Sequence, residues 1–96
     1  MTPAEFEHEL MRFLLPLRGD KPIDVASYDR FHDFFLNCTG YLTKDGLMEV
    51  DLAMLLIDMY PTMIGLAAGR QGDERQMIED WAMELSLLTA EVLKQG

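Results

Sequence analysis

Residues 41–64 read YLTKDGLMEVDLAMLLIDMYPTMI, and this stretch decides the fold. Apolar residues recur through it at the three- and four-residue spacing of a helix face. Asp45 is suited to cap the start of this helix, and Pro61 is expected to break or kink it near Tyr60. Residues 63–68 would then form a separate apolar segment of one or two turns. The stretch therefore predicts an amphipathic helix from Asp45 to about Tyr60.

Helices are also predicted on both sides of this stretch. Residues 2–5 read Thr-Pro-Ala-Glu, a capping box with proline at the first helical position, and the apolar face that follows predicts a helix over residues 3–16. Asp73 is expected to cap a last helix of roughly 20 residues, with Gln76 at the capping-box position. Burial of Trp81 is predicted by the apolar stripe of this helix, which comprises Ile78, Trp81, Leu85, Leu88 and Val92.

Aromatic residues are concentrated between the first helix and the 41–64 stretch. Tyr28, Phe31, Phe34 and Phe35 recur at helical spacing, which predicts a further helix. So many rings in a short segment have to be buried, either in an enlarged core or against another molecule. Together these segments predict a single all-α domain over residues 1–96, a bundle of four or five helices.

The composition limits the possible partners. The 96 residues include 8 Lys and Arg against 17 Asp and Glu, a net charge of −9. This charge disfavours nucleic acid and anionic membrane surfaces and favours a protein partner with a basic or apolar surface. A cytoplasmic location is expected, because no apolar run reaches about 18 residues and no basic N-terminal region precedes an apolar one. The single cysteine excludes a disulfide within the chain.

The same central stretch resembles the core of an acyl carrier protein. That family reads Asp-Leu-Gly-x-Asp-Ser-Leu, then Val-Glu-Leu, a later Leu-Glu, an aromatic residue and an Ile. Gly46 stands where the family has the serine that carries phosphopantetheine. The resemblance implies a carrier-like fold with an inserted helix and an elongated last helix, but without the cofactor. The residues in register are Leu42, Asp45, Leu47, Val50, Asp51, Leu52, Leu56, Asp58, Tyr60 and Ile64.

The resemblance also implies a surface for protein partners. Carrier proteins display acidic residues along this helix, which meet basic grooves on their enzymes. Here Met48, Ile57 and Met59 occupy positions that are often charged or polar, and methionine suits adaptable apolar contacts. We therefore expect the helix to be covered by the inserted aromatic helix or by a partner, which includes a second copy of the chain. The predicted contact residues are Asp45, Leu47, Met48, Glu49, Asp51, Asp58 and Met59, with Phe34 and Phe35 of the inserted helix.

Motifs for catalysis or metal binding are weak. Asn37 to Thr43 is similar to the middle of an EF-hand loop, but Phe35 and Gly46 fall at the first and twelfth positions, which require acids. Two trios that share helix faces lack a second motif to complete a coordination sphere. The sequence contains no nucleophile triad with supporting glycines and no phosphate-binding loop. We expect neither enzymatic activity nor a metal or cofactor. The two trios are Asp29, His32 and Asp33, and Glu5, His8 and Glu9.

Three hypotheses about function remain open. The chain is a diverged carrier-like module that binds a protein, such as an enzyme that ordinarily meets carriers, or it is a true acyl or peptidyl carrier whose serine was replaced by Gly46. Alternatively, it is an unrelated small acidic helical protein of the inhibitor, antitoxin or immunity type. Backbone topology separates the first two from the third, because the carrier hypotheses require the segment from Arg18 to Asp45 to deliver Gly46 to a helix N-terminus.

Overall fold

The computed structural model of the protein describes residues 3–18, 21–38 and 50–95. These residues form four α-helices, and the predicted all-α bundle is confirmed. Helix α3 packs against α4 and α1, and α1 also packs against α2. The helices are α1 (Pro3–Leu14), α2 (Val25–Cys38), α3 (Val50–Ala68) and α4 (Gly72–Gln95), with a 3₁₀ turn over Leu15–Leu17 after α1.

Helix α1 ends slightly earlier than the sequence predicts. The α-helical part stops at Leu14, and the chain tightens into the 3₁₀ turn that contains Pro16. This is expected because the proline ring has no N–H to donate and collides with the preceding helical turn. The predicted apolar face is confirmed, since the core contains Phe6, Leu10, Phe13, Leu14 and Leu17.

The predicted aromatic helix is confirmed as α2. Its start is capped by Asp24, whose Oδ1 accepts a hydrogen bond of 3.0 Å from the backbone N–H of Ala26. Its rings meet those of α1 and α4: Phe13 stacks on Phe31 with 5.2 Å between centroids, and Tyr28 stacks on Trp81 at 4.4 Å. These contacts show that α2 lies against α1 and α4. The prediction that α2 covers the outer face of α3 is not supported by the packing observed.

The predicted end of the central helix near Tyr60 is wrong. Helix α3 continues through Pro61 to Ala68, so the separate segment over residues 63–68 is its last part. A proline inside a helix costs about 3 kcal/mol, because one hydrogen bond is lost and the ring collides with the preceding turn. Pro61 is exposed, whereas Met63 and Ala67 on the opposite face are buried in the core. Packing of that buried face offsets the local cost of the proline.

Helices α3 and α4 form an antiparallel hairpin with a tight turn. Gly72 has a φ of 60°, in the left-handed region that favours glycine, and it begins α4 one residue before the predicted cap Asp73. The predicted capping box of Asp73 and Gln76 is wrong, because α4 already includes Asp73 in its first turn, and the Gln76 side chain donates from Nε2 to Oδ1 of Asp80 at 2.8 Å. The helix has 24 residues, longer than predicted. Burial of Trp81 is confirmed, with 8% of its surface exposed.

A buried arginine joins the two halves of the bundle. Arg70, in the α3–α4 turn, donates from Nη1 to the carbonyl oxygen of Lys21 at 2.6 Å and from Nη2 to that of Leu17 at 3.2 Å. Nη1 also lies 3.3 Å from Oε1 of Glu74. The guanidinium therefore satisfies backbone oxygens after α1 while one carboxylate balances its charge, as a buried cation requires. Arg70 fixes the α3–α4 turn against the connection between α1 and α2.

Candidate partner-binding surface

An apolar row lies exposed along α3. Val50, Met54 and Ile57 expose 72%, 56% and 60% of their surfaces, and Pro61 continues the row. Spacings of four, three and four residues place all four side chains on one face of the helix. We call this row the α3 stripe.

The opposite face of α3 is equally apolar. It supplies Leu52, Leu56, Met59, Met63 and Ala67 to the core. A surface helix of a globular protein normally combines one apolar face with one polar face. Because α3 has two apolar faces and only one of them packs against α1 and α4, the α3 stripe does not contribute to this core.

A groove with an acidic rim borders the α3 stripe. It lies between the first turns of α1 and the first half of α3, with a volume of about 570 Å³. Its floor includes Met54 and Leu55, and Pro3 and Ala4 form part of its wall. We call it the acidic groove, because its remaining lining residues are the three carboxylates Glu7, Asp51 and Asp58. All three are exposed.

The charges of the bundle are unevenly distributed. The only charged residues of α3 are Asp51 and Asp58, so this helix carries no cation. In the described part of α1, α2 and their connection, none of the cations lines the acidic groove; they are Arg12, Arg18, Lys21 and Arg30. Among the described residues, the lining of the acidic groove and the α3 stripe therefore contribute apolar and negative surface.

The predicted contact residues fall into four groups. Asp51 and Asp58 are both exposed on α3 and both line the acidic groove, so a partner can reach them as the prediction requires. Met59 and Phe35, by contrast, lie in the core with 2% and 0% of their surfaces exposed, so neither is available to a partner. Phe34 is half-buried beside Phe6, at 6.1 Å between ring centroids. Outside the described residues lie Asp45, Gly46, Leu47, Met48 and Glu49.

Helical periodicity explains why Met59 and Phe35 are buried. Met59 follows Leu56 by three residues and precedes Met63 by four, which places it on the core face of α3. Phe35 follows Phe31 by four and belongs to the same buried face of α2. The same periodicity, followed from Val50, indicates the α3 stripe, although none of its four residues is among the predicted contact residues.

A second cluster of polar side chains joins α2 to α4. Nε2 of His32 lies 2.9 Å from Oε1 of Glu84, and the buried Tyr28 hydroxyl lies near the same carboxylate. Burial, and then the nearby Glu84 and Asp29 carboxylates, raise the pKa of Tyr28 above its usual value. His32 is thus paired across helices, and among the described residues no three His, Cys, Asp or Glu side chains lie close enough to hold a metal ion. We assign this cluster a structural role.

Helix α3 also satisfies a simple test for a membrane span. Within the described ranges it is the one helix long and apolar enough to cross a bilayer, judged by length and composition. The core helix of a soluble bundle passes the same test, and α3 packs one face against α1 and α4. The hydropathy of α3 therefore does not distinguish a membrane from a protein contact.

Comparison with other proteins gives no relatives: the chain matches no family model, and neither curated proteins nor solved structures give a significant match.

Proposed function

We propose that this protein is a binding module without catalytic activity, and that it docks a protein partner on the α3 stripe. The observation that carries the proposal is the exposure of Val50, Met54 and Ile57 on a helix whose other face is already buried. Single exposed apolar residues are ordinary, but a regular row marks a contact surface. Burying apolar surface contributes roughly 25 cal/mol per Å², so a few hundred Å² supports association.

The acidic surroundings favour a partner with basic and apolar surface. The net charge of −9 repels nucleic acid and anionic lipid, and Asp51 and Asp58 border the stripe itself. A symmetric contact between two copies through the stripe would bring these carboxylates near their equivalents, which is unfavourable. We therefore favour a different protein over a second copy of this chain as the partner.

Photocrosslinking tests this proposal. A photoreactive amino acid at Ile57 should capture one discrete protein in the native host, whereas the same residue at the exposed Asp29 of α2 should not. Affinity of the captured protein for the purified chain should then fall at least tenfold with Ile57→Ser. Equal capture from both positions, or an affinity unchanged by Ile57→Ser, would contradict docking on the α3 stripe.

The resemblance to acyl carrier proteins supplies a second, separately testable hypothesis. It proposes that the partner is an enzyme that ordinarily meets carriers, and that Gly46 replaces the attachment serine. The unaltered protein should gain no mass when incubated with coenzyme A and a promiscuous phosphopantetheinyl transferase, because glycine has no hydroxyl. Gly46→Ser should gain the mass of one phosphopantetheine, as measured on the intact protein. Failure of Gly46→Ser to be loaded would remove the support for the carrier hypothesis but would leave docking on α3 untouched.

A further inference from the structure

We infer that the acidic groove receives a lysine or arginine side chain from an amphipathic helix that docks along the α3 stripe. This inference rests on the proposed function and specifies the chemistry of the partner. It joins two neighbouring features that share Met54, which is both the second residue of the α3 stripe and part of the floor of the groove.

The shape of the groove suits a long cationic side chain. Asp51 and Asp58 are seven residues apart on α3, so they lie on one side of the helix about 10 Å apart along its axis. Met54 and Leu55 lie between them, and Glu7 of α1 closes the opposite side. Lysine and arginine place their methylene stems on apolar surface while the charged head reaches polar groups. The apolar floor and carboxylate rim provide both contacts.

The spacing of the carboxylates favours a side-chain cation over a metal ion. No three acidic or histidine side chains among the described residues converge closely enough for a common metal. A guanidinium carries five donors in a plane, and an ammonium can rotate among acceptors, so either can use carboxylates that are spread over two turns. The rim is thus open enough for a cationic head group.

A helix is the secondary structure that fits the adjoining stripe. From Val50 to Pro61 the row extends for eleven residues, or roughly 16 Å, along three turns of one helix face. The apolar face of a second helix, with anchors at i, i+3 or i+4, and i+7, matches such a row. A cation on the flank of that helix would then lie over the acidic groove. A second copy of α3 cannot supply it, because α3 has no Lys or Arg.

Two synthetic peptides test the inference on the full-length protein. Both are amphipathic helices of about 20 residues with leucine at the anchor positions, and they differ only in carrying Lys and Arg or Glu on the flanks. We expect the basic peptide to bind at least tenfold more tightly by calorimetry, with affinity that falls as salt rises. Neutralising the groove by Glu7→Gln, Asp51→Asn and Asp58→Asn should remove most of this preference.

A matched variant controls for net charge. Asp29→Asn, Asp33→Asn and Asp73→Asn remove the same three charges from exposed positions on α2 and α4, and they should leave the preference nearly intact. Circular dichroism confirms that each variant is folded. If both triple variants behave alike, the groove has no special role and the inference is overturned.

The remaining outcomes separate this inference from the proposed function. Loss of basic-peptide binding with Ile57→Ser but not with the groove variant would leave docking on the stripe standing and overturn the groove inference. Absence of binding of both peptides at millimolar concentration would also overturn it. Binding to neutral phosphatidylcholine vesicles, or dimerisation in sedimentation, that Ile57→Ser abolishes would assign the stripe to lipid or to a second copy and contradict the proposed function as well.

Discussion

The aromatic half of the bundle and helix α3 use their apolar residues in opposite ways. In α1 and α2, the rings of Phe6, Phe13 and Phe31 pack together inside the core, and Phe13 also contacts Trp81 of α4. In α3, apolar side chains occupy both the core face and the solvent face. An abundance of apolar residues therefore builds the core in the first region and leaves exposed apolar surface in the second. The distinction is whether a neighbouring helix covers each face.

The largest loss of stability is expected from the aromatic cluster. Trp81→Ala removes the ring that stacks on Tyr28 at 4.4 Å and contacts Phe13. The free energy of unfolding should fall by about 3–5 kcal/mol, because the buried cavity cannot collapse fully. Urea denaturation measures this, with Met83→Ala on the exposed face of α4 as the control. Equal and small effects of both changes would show that Trp81 is not part of the core.

A smaller loss is expected where the two regions are joined. Arg70→Met removes the hydrogen bonds to the carbonyl oxygens of Lys21 and Leu17. The free energy of unfolding should fall by about 2–3 kcal/mol, because those acceptors lose a charged donor. Arg75→Met, which breaks only the exposed contact with Glu79, should cost at most about 0.5 kcal/mol in the same denaturation experiment. A cost for Arg70→Met as small as that of its control would contradict the joining role.

Alkaline pH should lower the free energy of unfolding through the ionisation of Tyr28. The pKa of Tyr28 is raised by burial, so the unfolded state loses this proton before the folded state does. The contribution of Tyr28 is complete below pH about 10 and is lost as pH rises towards its folded pKa, at up to about 1.4 kcal/mol per pH unit. Tyr28→Phe should flatten the dependence of unfolding free energy on pH above 10. An unchanged slope in the variant would show that the hydroxyl is not buried as described.

The smallest effect on stability is expected from the α3 stripe. Ile57→Ser changes a side chain that is 60% exposed, so the free energy of unfolding should change by no more than about 0.5 kcal/mol. Thermal and urea denaturation measure this beside Met59→Ser, two residues away in the core, which should be strongly destabilising. If Ile57→Ser proves equally damaging, the stripe is covered within the protein and is not free for a partner.

Much of this architecture follows from local patterns that can be read in the sequence. The apolar spacing of α1 and α4, the aromatic spacing of α2 and the burial of Trp81 were all predicted correctly. The continuation of α3 past Pro61 was not predictable in this way. The local sequence indicates only the energetic cost of the proline, whereas the compensating burial of Met63 and Ala67 depends on packing against other helices. The burial of Arg70 was not predictable either, because an arginine between Gly69 and Gly72 is typical of a solvent-exposed turn.

By itself, the sequence determined that the described segments are mainly helical and which residues share an apolar helix face, because both depend on intervals of three and four residues along one chain. Only the tertiary structure decided which apolar face is covered. Met59 and Ile57 lie two residues apart with similar hydrophobicity, yet one is 2% exposed and the other 60%. Their difference arises from the positions of α1 and α4 around α3, and those positions depend on contacts between residues far apart in the chain.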